Sequence, residues 1–475
     1  MAAGTTTLSV RDAVLLPGQG VMIGDPGGVG GEDELGMIKE VAGKTLTLHA
    51  GLARAYAAGT PVTTQGKMGG YQRAVGVDVR LYGAKGDGNS DDTAAIKAAL
   101  SAAASGARSV FFPAGTYIIN EPLAPTADMA LVGAGFRRSF LKPGSRFKTA
   151  SKTRQLIQIT ADRVQVRDLG FLGEGVVVAA IGASGAADAL IERCWFDAAS
   201  MWSVFFTASS RNCGIVECLS EGTTQAHSIE INNSSYCYVI NCHLKNAAQN
   251  AIELYLRTPG EGFGHRLIGN FLETPGASGF LLDGDSDTSV IGNTVVGAPT
   301  SALRTQISEV LGAAHPSQGG HAVGNTFVNC GGTSNDGVVL DWYSVGWSVK
   351  GNTVRGSGNC GITLRGIALL VEGNTVVDSR RHGIFVPTGG HVLTSNVCIN
   401  NSTGGEGVGD GIRVEGPGSS LTGNRCTDTR PTKLQQFGIA LIGADANTLS
   451  GNVTAGNRNV GMYDASTGNI KTGNI

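Results

Sequence analysis

An asparagine that follows a small or apolar residue recurs through the C-terminal half of this chain, and its spacing limits what the chain can fold into. It appears in "INC" (Asn241), "GNF" (Asn270), "GNT" (Asn293, Asn325, Asn352, Asn374), "SNV" (Asn396), "GNR" (Asn424), "GNV" (Asn452) and "GNI" (Asn474). The shortest spacing, from Asn352 to Asn374, returns from Asn374 to Asn396 and from Asn452 to Asn474, and every other interval is longer. A shortest unit that recurs, lengthened at permitted corners, is the mark of a coil that stacks on copies of itself. Roughly midway between one asparagine and the next comes a second phrase, such as "NAIEL", "SGFLL", "DGVVL", "CGITL", "HGIFV" or "DGIRV". Its alternation of apolar and variable residues has period two, which means a strand with one buried face.

Short strands at this period, with no helical pattern between them, predict an all-β fold, a right-handed parallel β-helix (solenoid) over residues 136–475. Each coil supplies about three strands that stack on the next coil at ~4.8 Å. The asparagines read as an internal ladder at a turn, with amides bonding coil to coil. Cys194, Cys218 and Cys242 recur at one constant spacing, and Cys213 and Cys237 share it. That spacing predicts buried thiols at repeated inward positions rather than disulfides or a zinc site.

Before the repeat, residues 71–135 read as a capping segment. "YGAKGDGNSDDTAAIKAAL" supplies a glycine turn, a cap at Ser90 or Asp91 and a helix over 91–104, followed by the strand and turn of "SVFFPAGTYIIN". Such a helix covers the open end of a coil stack. Asp87, Asp91 and Asp92 lack the spacing of an EF-hand and suit turn and cap roles. This stretch closely resembles the opening signature of the pectate-lyase-like β-helix superfamily. That superfamily includes polysaccharide lyases, polygalacturonase-like hydrolases, alginate C5-epimerases and bacteriophage tailspike depolymerases. The resemblance implies the fold; the reaction varies with the side chains on the coil face. Residues 1–70 alternate apolar and polar residues between glycine turns, predicting a small separate β-domain for attachment or carbohydrate binding.

Composition excludes several partners. With 36 basic against 38 acidic residues and no long run of either sign, nothing offers a nucleic-acid groove or an anionic-membrane surface. No apolar run approaches the ~20 residues of a membrane span, and "MAAGTTTLSV" lacks a secretory pattern. A virion protein needs no such signal, so an extracellular place, virion-associated or secreted, is expected, and resembling tailspikes imply a homotrimer. The last phrase, "GNIKTGNI", breaks off within a coil, as in a chain that continues into a further domain.

Aligning the second phrase across coils turns outward residues into columns. One runs Glu230, Glu253, Leu281, Arg304, Val339, Thr363, Phe385, Arg413; the next runs Asn232, Tyr255, Asp283, Gln306, Asp341, Arg365, Pro387, Glu415. A third runs His227, Asn250, Ser278, Ser301, Asp336, Cys360, His382, Asp410. All three are expected on an open outer wall. Glu230 and Glu253 then stand ~4.8 Å apart, near the separation of a retaining glycosidase, while Glu253 and Asp283 stand about 8 Å apart, inside the inverting range. Stacked like charges raise a carboxyl pKa, which suits a general acid.

The expected reaction is hydrolysis of a linear extracellular or capsular polysaccharide. Glu230, Glu253 and Asp283 share the catalytic roles, and His227, Tyr255, Arg304, Asp341, Trp342 and Arg365 contact substrate. Insertions at 257–265 and 305–321 wall the groove. The alternative is lyase or C5-epimerase chemistry on a uronic-acid polymer, with His227 or Tyr255 as base and Arg304 or calcium neutralising the carboxylate. "DGDSD" (283–287) is the one stretch suited to calcium, and it fits a turn equally well; no other cofactor or metal is expected. The Asp-Pro-His stretch of alginate epimerases and the aspartate set of polygalacturonases are missing, so neither specificity carries over. A third alternative is a non-catalytic glycan-binding spike.

Overall fold

The computed structural model describes residues 76–106, 108–149 and 155–475, together with the backbone of five strands before residue 76. Those five, Thr7–Ser9, Gly20–Ile23, Glu34–Ala42, Thr45–Leu48 and Val62–Thr64, pair antiparallel in one sheet. The rest of the expectation for residues 1–70 lies outside the described residues. Two compact units divide the chain, one of residues 1–180 with 190–195 and the other of 181–189 with 196–475.

In the first unit the helix runs Thr93–Ala104, starting later than expected because Asp87–Asp91 is a strand. Ile96, Ala99, Leu100 and Ala103 form its buried stripe. Asp91 Oδ1 accepts the Thr93 N–H at 3.0 Å and so caps the helix. Asp92 turns back to accept the backbone N–H groups of Lys85 and Gly86, and Asp87 accepts those of Asn89 and Ser90. The three aspartates are spent on turns and the cap. Parallel pairing already runs through this segment: Ser109–Phe112 pairs with Ala130–Gly133, which pairs with Gln165–Arg167.

The second unit is a stack of coils. Ile252–Tyr255, Arg266–Ile268 and Phe271–Glu273 form one coil, each paired in parallel with its counterpart in the next: Phe280–Asp283, Ser289–Ile291 and Thr294–Val296. Leu254, Leu267, Leu272, Leu282, Val290 and Val295 face inward and are at most 1% exposed. Each contributes about 1.5–3 kcal/mol by leaving water. All nine cysteines are buried free thiols. Among the described residues no helix is long and apolar enough to cross a membrane.

The asparagine ladder runs from Asn270 to Asn474. At Asn352, Oδ1 accepts the Asn325 backbone N–H at 2.9 Å and Asn325 Nδ2–H at 2.8 Å, while its own Nδ2–H groups donate to Ala322 O and Asn374 Oδ1. Each amide is thus satisfied by two other coils. Asn241 is not a rung. It holds the left-handed turn position (φ 53°) that Gly269 holds one coil later (φ 65°), a conformation asparagine tolerates. Cys242 takes the inward place, its backbone N–H donating to Asn270 Oδ1 at 2.9 Å. Asn352→Ala orphans donors and acceptors in the buried ladder and is expected to cost about 2–4 kcal/mol. Asn241→Gly is expected to stay within about 0.5 kcal/mol. Urea unfolding of the two variants side by side checks this.

Candidate active site

The strand Ile229–Asn232 pairs in register with Ile252–Tyr255, setting Glu230 opposite Glu253 and Asn232 opposite Tyr255. Ile229, Ile231, Ile252 and Leu254 point inward, so the two glutamates point out, as the alternation predicts. The expected open wall is absent here: Glu230 is 6% and Glu253 8% exposed. Neighbours cover them. Phe205, one coil earlier, pairs in register with Glu230, and its ring stacks on Trp202 at 4.5 Å and 15°. The sequence reading singles out neither aromatic, although "WSVFF" (202–206) sets its Phe205 one repeat before Glu230.

The third column is also recessed, because its side chains serve the stack. His227 Nδ1 accepts the Asn250 backbone N–H, Asn250 Oδ1 that of Ser278, Asp336 Oδ1 that of Cys360, His382 Nδ1 that of Asp410, and Asp410 Oδ1 that of Phe437. An imidazole whose Nδ1 accepts carries its proton on Nε2. His227 therefore presents an Nε2–H to Glu253 Oε2, 2.5 Å away. Asn250 Nδ2 is a second donor to the same oxygen at 3.4 Å.

His227, Glu230 and Glu253 each offer one atom within 4.8 Å of the others. That grouping has the makings of a metal site. A metal on Nε2 moves the ring proton to Nδ1, against the Asn250 N–H. The wiring suits proton donors and acceptors rather than metal ligands. Glu230 receives a single hydrogen bond, from Asn232 Nδ2 at 3.1 Å. Burial pushes its carboxyl pKa up, the negative charge of Glu253 adds to this, and the Asn232 hydrogen bond opposes it.

Asp283 stands apart from this trio. It is fully buried, and its Oδ1 accepts the Glu309 backbone N–H at 2.9 Å, pinning the 305–321 insertion to the strand. Its Oδ2 has no partner. Burial, with the nearby charges of Glu309 and Glu253, raises its pKa to about 8. In the "DGDSD" stretch Asp285 turns inward, bonded by Ser317 Oγ at 2.8 Å, and Asp287 holds a left-handed turn, so these side chains serve the coil corner.

Farther along the stack, Arg304 and Arg365 both bind Asp341, at 2.6 and 3.3 Å, and Arg365 also reaches Asp336 at 3.6 Å. Asp341 is 7% exposed, buried under these guanidiniums instead of facing solvent. Trp342 and Tyr343 are about half exposed (54% and 50%) and, with Arg304, Gln306 and Glu309, line a cavity of 420 Å³. The two insertions meet in a neighbouring cleft of 460 Å³ that includes Glu261, Phe263 and His315. Neither cavity is lined by Glu230 or Glu253. Tyr255 lies under the Arg257 guanidinium at 4.4 Å, and burial raises its phenol pKa.

Asp283 gives a pH signature of its own. Because its folded-state pKa lies above the unfolded value, the folded chain keeps a proton that the unfolded chain releases as pH climbs. Stability is expected to fall between about pH 4 and about pH 8, by up to ~1.4 kcal/mol per unit from this group. Asp283→Asn keeps the acceptor for Glu309 and removes the ionisation, so denaturation at pH 5 and pH 9 is expected to show a smaller loss in the variant.

Two families match the chain in separate stretches. The pectate-lyase-like family described as rhamnogalacturonase A/epimerase matches residues 76–254, which include both glutamates, and the right-handed β-helix region family matches residues 336–475. Among solved structures, bacteriophage phi29 gene product 12 superposes with a TM-score of 0.66 at 15% identity, covering 84% of this chain and 58% of that one. The surface adhesin PfbA of Streptococcus pneumoniae gives 0.60 at 16%, covering 71% and 91%. The catalytic unit of an α-1,3-glucanase from Streptomyces thermodiastaticus gives 0.55 at 16%, covering 100% and 87%. At these identities the likeness is one of fold. In sequence, the mannuronan C5-epimerase AlgE5 of Azotobacter vinelandii is 44% identical over 73 residues, 14% of this chain and 7% of that protein. The LysM effector LysM19 of Penicillium expansum is 33% identical over 109 residues, 22% of this chain and 9% of that protein. The chain thus matches less than a tenth of the length of these curated relatives. Stacked parallel coils and the two matched segments show a right-handed parallel β-helix whose residues 76–254 are similar to a pectate-lyase-like family.

Proposed function

We propose that the chain is an extracellular or virion-associated carbohydrate-active enzyme, a glycoside hydrolase acting on a linear polysaccharide with retention of anomeric configuration, and that it works as a homotrimer. One observation carries the reading: two glutamates in register on adjacent coils, carboxyls within 4.8 Å, with unequal surroundings. Glu253, supplied with donors by His227 and Asn250, suits the nucleophile. Glu230, whose carboxyl pKa is raised by burial, suits the acid. Glu253 forms a bond to the anomeric carbon as the glycosidic bond breaks, and Glu230 gives its proton to the leaving oxygen. Glu230, now a carboxylate, then takes a proton from the water that releases the sugar from Glu253. Trp342 and Tyr343 offer ring faces to sugars farther along the groove, and Arg304, Asp341 and Arg365 brace that wall. Asp283 holds the insertion in place rather than meeting the substrate.

The elimination and epimerisation reading finds support in the epimerase named by the matched family and in the AlgE relatives. Its bases are poorly prepared here. Tyr255 is held more firmly protonated than a free phenol, His227 spends its Nε2–H on Glu253, and Arg304 is already paired with Asp341.

A panel of capsular and plant polysaccharides tests the proposal. A hydrolase releases new reducing ends without ultraviolet absorbance from an unsaturated sugar, and Glu230→Gln and Glu253→Gln each lower kcat by about a thousandfold. A lyase yields the absorbing product; a binding spike holds its glycan unchanged in both variants and turns none over. Because Glu230 works in its protonated form, kcat/KM is expected to fall as pH rises through its elevated pKa. Trp342→Ala is expected to raise KM several-fold with kcat nearly unchanged, since it binds substrate away from the scissile bond.

A further inference from the structure

The indole of Trp202 has a donor with nothing to bond. Its Nε1 is buried and has no acceptor in the folded chain, a rare condition for a buried N–H. The ring cannot simply turn away, because it stacks on Phe205 at 4.5 Å, and Phe205 is fixed by strand register against Glu230. The same N–H lies near enough to Glu230 to favour its charged form. In the resting site Glu230 accepts only from Asn232 Nδ2.

We propose that Trp202 is a positioning residue for Glu230 whose indole N–H stays idle while the carboxyl is protonated and bonds to it once the proton has left. This rests on the acid role assigned to Glu230 above. When Glu230 donates its proton to the leaving sugar oxygen, a carboxylate forms in a largely buried recess, where an unpaired charge is costly. Asn232 on one side and Trp202 on the other then supply two donors, so the anion is held until it takes a proton from water. The ring and the N–H of Trp202 act in opposite directions: an apolar ring adds to the burial that raises the Glu230 pKa, and the N–H steadies the charge when it appears. The other ionisable groups facing Glu230 are Glu253 and His227, and both are present throughout the test.

Nuclear magnetic resonance of the intact chain, without substrate, reads this directly. The four indole N–H signals are followed against pH alongside the side-chain carboxyl carbons of labelled glutamates; the signal absent from Trp202→Phe and the carbon absent from Glu230→Gln give the assignments. The Trp202 N–H signal is expected to move downfield with the same midpoint as the Glu230 carbon, and to lose that movement in Glu230→Gln. Trp202→Phe keeps a ring and removes the donor, so the Glu230 midpoint is expected to rise by about one unit, the worth of one hydrogen bond to the charged form. An indole signal that stays still while Glu230 titrates, or that moves equally in Glu230→Gln, overturns the proposal; so does a Glu230 midpoint unchanged in a folded Trp202→Phe. Should Trp202→Phe not fold, the Glu230→Gln comparison still decides. Full hydrolytic activity in Glu230→Gln refutes the acid role and leaves these resonances as they are, so the two failures are told apart.

Discussion

Parallel hydrogen bonding between successive coils sets where every outer side chain of the second unit stands. Once Ile229 is opposite Ile252, Glu230 has no choice but to face Glu253, however far apart they lie along the chain. A slip of one residue would turn both acids into the apolar interior. The asparagine ladder resists that slip, because each rung bonds backbone and side chain of its neighbours and only one register satisfies all of them. The glutamate pair is therefore held by polar contacts on the far side of the coil interior as much as by contacts around it.

Register brings two carboxyls together, and their coverings make them different. The aromatic pair before Glu230 and the imidazole beside Glu253 give neighbouring residues of one type different surroundings. Burial sustains the difference, since the same two glutamates in open water would be screened and nearly alike. Asp283 shows the other use of a buried acid: its backbone contact to Glu309 fastens an insertion, and its raised pKa is a by-product of being enclosed.

Periodic features are legible in the sequence because solenoids write their geometry into spacing. The coil, the inward apolar positions, the buried thiols and the columns through Glu230, Glu253 and Arg304 all follow from counting residues. Counting misleads where two residue types share a conformational preference. It assigns Asn241 to a rung because asparagine suits both the inward ladder and the left-handed turn, whereas Cys242 holds the inward place. Exposure is misjudged for another reason. Period two separates in from out, but it is silent on how much an outward side chain is covered by the coil before it, so it passes over Trp202 and Phe205 and sets the acids in the open. Pairings such as Arg304 and Arg365 on Asp341 depend on rotamers that no spacing encodes.

At five places in the column of His227 the occupant offers an atom that receives an amide hydrogen from the following coil. Imidazole, carboxamide and carboxylate each serve in this way along the same line of the wall. A solenoid of this kind can exchange the side chain at such a place and keep the same bond to the next coil, so the chemistry of the wall can change by single replacements while the scaffold stays as it was.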